Sequence, residues 1–172
     1  SRDIALAFDF TRSPAPILLD GRDVSDAIRA PRVTEVTYAA ADNPWVREEL
    51  VRLQREIGKK CGSLVTEGRD QGTIVFPHAE FKFYLNAHPE ERARRRIAQF
   101  AAKGIPSGEL QDVLNQIVQR DMRDQARAVG PLARPKDAID LDTTDLTLEQ
   151  TVDAMIGHMQ AKMPGIARSS RL

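Results

Sequence analysis

Apolar and polar positions along this chain follow two rhythms, and the switches between them mark out strands and helices. Residues 3–8 (DIALAF) and 16–19 (PILL) flank a polar turn around Arg12-Ser13-Pro14 and read as a small β-hairpin. The stretch from Val24 to Ala41 is alanine-rich, with Pro31 placed to open a helix. Asn43 and Pro44 then form an N-cap and first-turn pair. Val46, Leu50, Leu53 and Ile57 follow at helical spacing, which predicts a helix over 44–60 with one apolar stripe.

Three short apolar, β-branched or aromatic runs read as strands: 63–66 (SLVT), 73–76 (TIVF) and 81–86 (FKFYLN). Pro89 opens a helix whose first turn carries Glu90 and Glu91, where the helix dipole favours acids, and Gly104 and Pro106 close it. A further helix is expected over about 108–127, ended by the Gly130-Pro131 break, followed by a last strand at 138–141 (AIDL). Thr147 to Gln150 is a capping box opening a final helix with Leu148, Val152, Met155 and Met159 inward, and the tail from Pro164 is expected to fray. Strands alternate with helices, so the class is α/β with a mainly parallel sheet.

Composition narrows the function. With 172 residues the chain can bury a core, and 41% hydrophobic against 29% charged residues is the balance of a soluble globular protein. Lys+Arg and Asp+Glu are both 25, which speaks against a general nucleic-acid binder. Cys61 is the single cysteine, so a disulfide framework or a Cys-rich zinc site is excluded, and His78, His88 and His158 lack metal-ligand spacing. No apolar run approaches the length of a membrane span and no signal peptide is evident, so a cytoplasmic location without membrane association is expected. Arginines nevertheless crowd into 92–127, and Arg is the side chain suited to a bidentate grip on phosphate.

Four features carry candidate chemistry. EGRDQG (Glu67–Gly72) follows a candidate strand, where α/β proteins place ligands. Arg69 and Asp70 there offer a phosphate clamp and an acceptor for an amine or hydroxyl; the plain alternative is a turn with a local ion pair. On the helix near 108–127, Leu110, Val113 and Ile117 define an apolar stripe that Arg120, Asp124 and Arg127 continue. Those charges need partners or a wet cleft, unless the helix simply leaves the core there. In PEERARRR, Arg92 and Arg96 share a helix face, and the cationic run either meets an anion or is a solvated face. Arg47, in PWVREEL, stands off the apolar stripe of its helix and taken alone is an ordinary surface arginine.

In this order the segments resemble the bacterial cytidylate kinases of the nucleoside monophosphate kinase family. The strings that carry the resemblance are LDGRDVSDAIRAPRV (19–33), PWVREEL (44–50), EGRDQGTIVFPHAEFKFYLNAHPEERARRR (67–96), QRDMRDQARAVGPL (119–132) and IDLDTTDLTLEQTVDAM (139–155). The resemblance implies a parallel-sheet P-loop nucleoside monophosphate kinase fold with a small β-hairpin insertion. Residues 1–42 would be a remnant of the monophosphate-binding region with that insertion, 43–163 the core domain with lid helices at about 89–132, and 164–172 a tail.

It implies transfer of the γ-phosphoryl group of ATP to CMP or dCMP with Mg²⁺. Arg47 and Asp70 would read cytosine, Arg69 and Arg127 grip the CMP phosphate, and Arg120 and Asp124 hold the sugar. Arg92 and Arg96 would be lid arginines on ATP, with Arg96 and Arg127 acting in catalysis and no metal ligand among the side chains. The family commonly has a serine contacting cytosine nine residues before the match to Arg47, and here that place holds Tyr38. The family also carries a first strand, P-loop and helix ahead of the hairpin. These 172 residues contain no G-x-x-x-x-G-K-[ST] string, and Gly58-Lys59 falls inside a predicted helix. The expectation is a kinase whose P-loop segment lies outside this chain and whose full-length relatives are monomers. The alternative is a non-catalytic nucleotide-binding or assembly module without a P-loop, which would self-associate or need a partner.

Overall fold

The computed structural model describes residues 5–12, 14–30, 32–33, 36–37 and 42–165; Pro31, Tyr38 and the tail beyond Gly165 lie outside the described residues. The chain divides into two compact units, Ser1–Val65 and Thr66–Leu172.

In the first unit, β1 (Leu6–Phe8) and β2 (Ile17–Leu19) form the expected antiparallel hairpin, with Ala7 opposite Leu18. A third strand, β3 (Arg22–Asp23), pairs with β2. The Asp20-Gly21 turn makes it, because both residues hold positive φ (50° and 79°), as a two-residue hairpin matched to strand twist requires. Ser25 Oγ closes the sheet by accepting from the Ile17 amide at 2.9 Å. A short 3₁₀ turn follows at Ala27–Arg29.

Helix α1 (Pro44–Cys61) starts where the sequence places it. The Asn43 side chain accepts from the amides of Trp45 and Val46, and Pro44 occupies the first turn, where its missing N–H costs nothing. No residue of α1 is buried; within the stripe, Leu53 and Ile57 are half-buried while Val46 and Leu50 are exposed.

The second unit is built on one parallel pair, β4 (Phe83–Asn86) and β5 (Ile139–Asp142), in the register Phe83 to Ile139 through Asn86 to Asp142. Parallel neighbours need a long crossover. Here it contains α2 (Pro89–Ala102) and α3 (Leu110–Ala126), packed through Ala93, Val113 and Ile117 with Ile97 and Leu114 against them. Helix α4 (Leu148–Lys162) follows β5 behind a reciprocal capping box. The Gln150 amide donates to Thr147 Oγ1 at 3.2 Å, and the Thr147 amide to Gln150 Oε1 at 2.8 Å. Val152, Met155 and Met159 are half-buried, but Leu148 is exposed. As the first helical residue, Leu148 covers the turn before its own Cα rather than the packed face.

Two expected strands are not strands. Residues 63–66 join no sheet among the described residues, and Val65 is 92% exposed. Residues 73–76 belong to a single π-helical turn, Gln71–Val75, in which the Val75 amide reaches the Asp70 carbonyl at 3.2 Å and the Phe76 amide the Gln71 carbonyl at 2.7 Å. The β-branched run serves burial there, with Val75 1% exposed, and its backbone groups are satisfied locally, so it needs no ladder.

Two cations brace the second unit, and neither was singled out from the sequence. Lys82, 9% exposed, donates to both carboxylate oxygens of Asp137 and to the Pro77 carbonyl. Arg95 donates from Nε to Glu91 at 2.9 Å and from Nη2 to the carbonyls of Thr143, Thr144 and Leu146 at 2.5–3.2 Å. That fork ties α2 to the segment leaving β5, and so fixes the face of α2 that carries Arg92.

Candidate functional site

The site grows from the last turns of α3. The apolar stripe through Val113 and Ile117 buries this face, and the same spacing carries Asp124 under cover, where its side chain is 3% exposed. A buried carboxylate must be ion-paired or hydrogen-bonded. Three guanidiniums answer it. Arg127 ends the helix in extended conformation (ψ 133°), which places its Nη2 2.9 Å from Asp124 Oδ1. Arg69, from the turn of the EGRDQG segment, places Nε 3.1 Å from Asp124 Oδ2, and Arg120, one turn earlier on α3, lies at 3.8 Å. The chain beyond Arg127 is held back against this turn, because the Leu132 amide donates to the Asp124 carbonyl at 2.7 Å.

Asp124 Oδ2 is buried and receives no hydrogen bond: Arg69 Nε is near enough but misaligned as a donor, and Arg120 Nε, at 3.8 Å, is too far. That oxygen keeps acceptor capacity that no described group uses.

Asp121 extends the network toward α2. It receives both Arg92 Nη atoms, at 2.5 Å on Oδ2 and 3.1 Å on Oδ1, and Arg69 Nη1 lies 3.8 Å from Oδ1. Burial works to raise its pKa, but the Arg92 hydrogen bond and the charges of Arg92, Arg69 and Arg120 outweigh that and hold it below the usual carboxylate range. Asp121 is therefore ionised at neutral pH. Four guanidiniums, those of Arg69, Arg92, Arg120 and Arg127, thus gather on the two carboxylates of Asp121 and Asp124.

The glycines of EGRDQG hold the turn that presents Arg69. A Cβ on Gly72 would lie 2.8 Å from the Pro135 ring, so the turn seats against that loop only without a side chain. Asp70 follows directly and is half-buried, its carbonyl accepting the Ile74 and Val75 amides. On the other side of Arg92 an open hollow of about 450 Å³ is lined by Arg92, Arg95, Arg96, Gln99, Phe100 and Ile117. Arg96 lies over the Phe100 ring at 5.4 Å, leaving an apolar floor with a cationic rim.

Of the residues singled out from the sequence, the fold gathers Arg69, Arg120, Asp124 and Arg127 into one cluster and joins Arg92 to it through Asp121. Arg96 faces the adjoining hollow, while Arg47 sits half-buried on α1 in the first unit. Asp121 was missed, although its position three residues before Asp124 is a legible signal, since residues at that spacing are helix neighbours. Among the described residues no group of three or more His, Cys, Asp or Glu could hold a metal ion, and no helix is long and apolar enough to cross a membrane.

Comparison with known proteins identifies the family. A family model described as cytidylate kinase matches residues 2–161. A cytidylate kinase of Anoxybacillus flavithermus is 42% identical over 149 residues, covering 87% of this chain and 65% of the relative. One of Azotobacter vinelandii is 44% identical over 149 residues, covering 87% and 64%. A bifunctional pantoate ligase/cytidylate kinase of Synechocystis is 44% identical over 147 residues, covering 83% of this chain and 28% of that protein. This chain therefore spans about 65% of the length of the single-function relatives it matches. With a family model over nearly its whole length and these identities, the chain belongs to the cytidylate kinase family.

Proposed function

We propose that the arginine cluster around Asp124 is the acceptor site of a nucleotide kinase that transfers the γ-phosphoryl group of ATP to CMP or dCMP. The observation that carries this reading is a 3%-exposed carboxylate, ringed by three guanidiniums, with one oxygen free of hydrogen bonds. A nucleoside monophosphate offers both complements at once, a phosphate for the forks of Arg69 and Arg127 and a sugar hydroxyl for Asp124 and Arg120. Asp70, beside Arg69, is assigned to accept from the cytosine amine, and Arg47 to read the same base. Arg92 and Arg96 take the donor's phosphates along the hollow on α2.

In the step itself an oxygen of the CMP phosphate bonds to the γ-phosphorus of ATP while the bond to the β–γ bridging oxygen breaks. CDP forms and ADP leaves with the electron pair. No protein nucleophile is needed, so positioning and charge neutralisation by Arg96 and Arg127 carry the chemistry. The described side chains offer no cluster of metal ligands, and Mg²⁺ is proposed to enter on the ATP phosphates, as it commonly does. The protein is proposed to act as a monomer in the cytoplasm.

The test is a coupled assay of the protein as its gene encodes it, with ATP, Mg²⁺ and CMP, dCMP, UMP or AMP. CMP and dCMP are expected to be the preferred acceptors. A preference for AMP would remove the roles given to Asp70 and Arg47. CMP binding without phosphoryl transfer would replace the kinase by a non-catalytic nucleotide-binding module.

A further inference from the structure

We propose that Asp121 is a positioning residue for both nucleotides, holding the acceptor-side Arg69 and the donor-side Arg92 at a fixed separation so that both forks serve one phosphoryl transfer. This rests on the kinase reading above.

The geometry is specific. Asp121 meets Arg92 through both carboxylate oxygens, and Oδ1 is shared with Arg69 at 3.8 Å. Contacts therefore run unbroken from Arg92 on α2 through Asp121, Arg69 and Asp124 to Arg127 at the end of α3. Two guanidiniums brought together without a carboxylate between them repel, and each side chain has enough freedom to swing away. Asp121 removes that repulsion and fixes the plane of the Arg92 fork.

A purely architectural role explains the contact less well. The α2–α3 interface is already closed by Ala93, Val113 and Ile117 with Ile97 and Leu114. The Asp121 and Arg92 side chains are 21% and 33% exposed, placing the pair at the edge of that interface rather than in its dry centre. A pair so placed adds little to stability, whereas a bidentate grip on a guanidinium adds orientation. Orientation shows in the transition state more than in the binding of either nucleotide alone.

The experiment compares steady-state kinetics and thermal unfolding of the wild-type protein with Asp121→Asn, Asp121→Glu, Arg92→Ala and the Arg92→Ala/Asp121→Asn double variant. Asp121→Asn keeps the shape and loses the charge. Its kcat is expected to fall about 10- to 100-fold, the loss typical of a misplaced catalytic group, while KM for CMP and for ATP each move less than about threefold. Asp121→Glu is expected to recover part of kcat, and the double variant to be no worse than Arg92→Ala alone, since the two act as one unit. A kcat within about twofold of wild type for Asp121→Asn sinks the proposal. So does a loss that tracks the folded fraction in the melting curve, or strict additivity with Arg92→Ala. If wild type itself transfers no phosphoryl group to CMP, the functional reading fails instead, so the two failures are told apart.

Discussion

Asp124→Ala is expected to lower kcat/KM for CMP about 100-fold or more and to lower the unfolding free energy by about 1.5–3 kcal/mol. The stability loss arises because Asp124 is the shared counter-ion of Arg127, Arg69 and Arg120, and its side chain is 3% exposed. Those arginines reach solvent to differing degrees, Arg120 most of all at 53%, and water recovers part of what the carboxylate supplied, so the loss stays moderate. The larger activity loss is expected because two proposed roles vanish together: Oδ2 as acceptor for the sugar hydroxyl and the alignment of the Arg69 and Arg127 forks. Asp124→Asn should preserve more stability, since the amide oxygen still accepts from Arg127, yet recover little activity. Steady-state kinetics with CMP as the varied substrate, read beside urea unfolding, separates the two effects.

Arg69→Lys is the second variant with a large expected effect. Arg69 addresses Asp124 through Nε and lies toward Asp121 through Nη1, a division of labour that needs a planar fork. An ammonium can sit on one carboxylate but not span both, and it meets a phosphate as a point charge. A loss of about 10- to 100-fold in kcat/KM for CMP is expected, against a stability change of ~1 kcal/mol or less, because the side chain is 34% exposed. Retention of wild-type kcat/KM in the lysine variant would show that charge alone suffices at this position.

What could be read from the sequence divides along a physical line. Signals that are local in the chain were legible. Asn43-Pro44 opens α1, and the Thr147–Gln150 box opens α4, because cap and helix lie within a few residues of each other. The three-four spacing of Arg120, Asp124 and Arg127 likewise marked residues that meet in one ion-pair cluster, although Arg120 stays 53% exposed. Strand identity at 63–66 and 73–76 was not legible, because a strand exists only by virtue of a partner and β-branched composition is merely permissive. The third strand of the hairpin sheet could have been found from Asp20-Gly21, the dipeptide suited to the turn that makes it.

Within the arginine run, composition concealed direction. Arg92 and Arg95 are near neighbours in the helix, yet one turns to Asp121 and the other to the carbonyls beyond β5. One therefore joins the carboxylate cluster and the other the segment after β5, and only packing distinguishes them. Asp121 was passed over because its partners come from segments more than twenty residues away in the chain.

Whether Asp124 and its arginines receive one monophosphate nucleotide is decided by a crystal structure of the protein with CMP. The phosphate is expected within hydrogen-bond reach of Arg69 and Arg127, and a sugar hydroxyl on Asp124 Oδ2. CMP bound elsewhere, with the ion pairs of Asp124 unchanged and Oδ2 still without a donor, would contradict it.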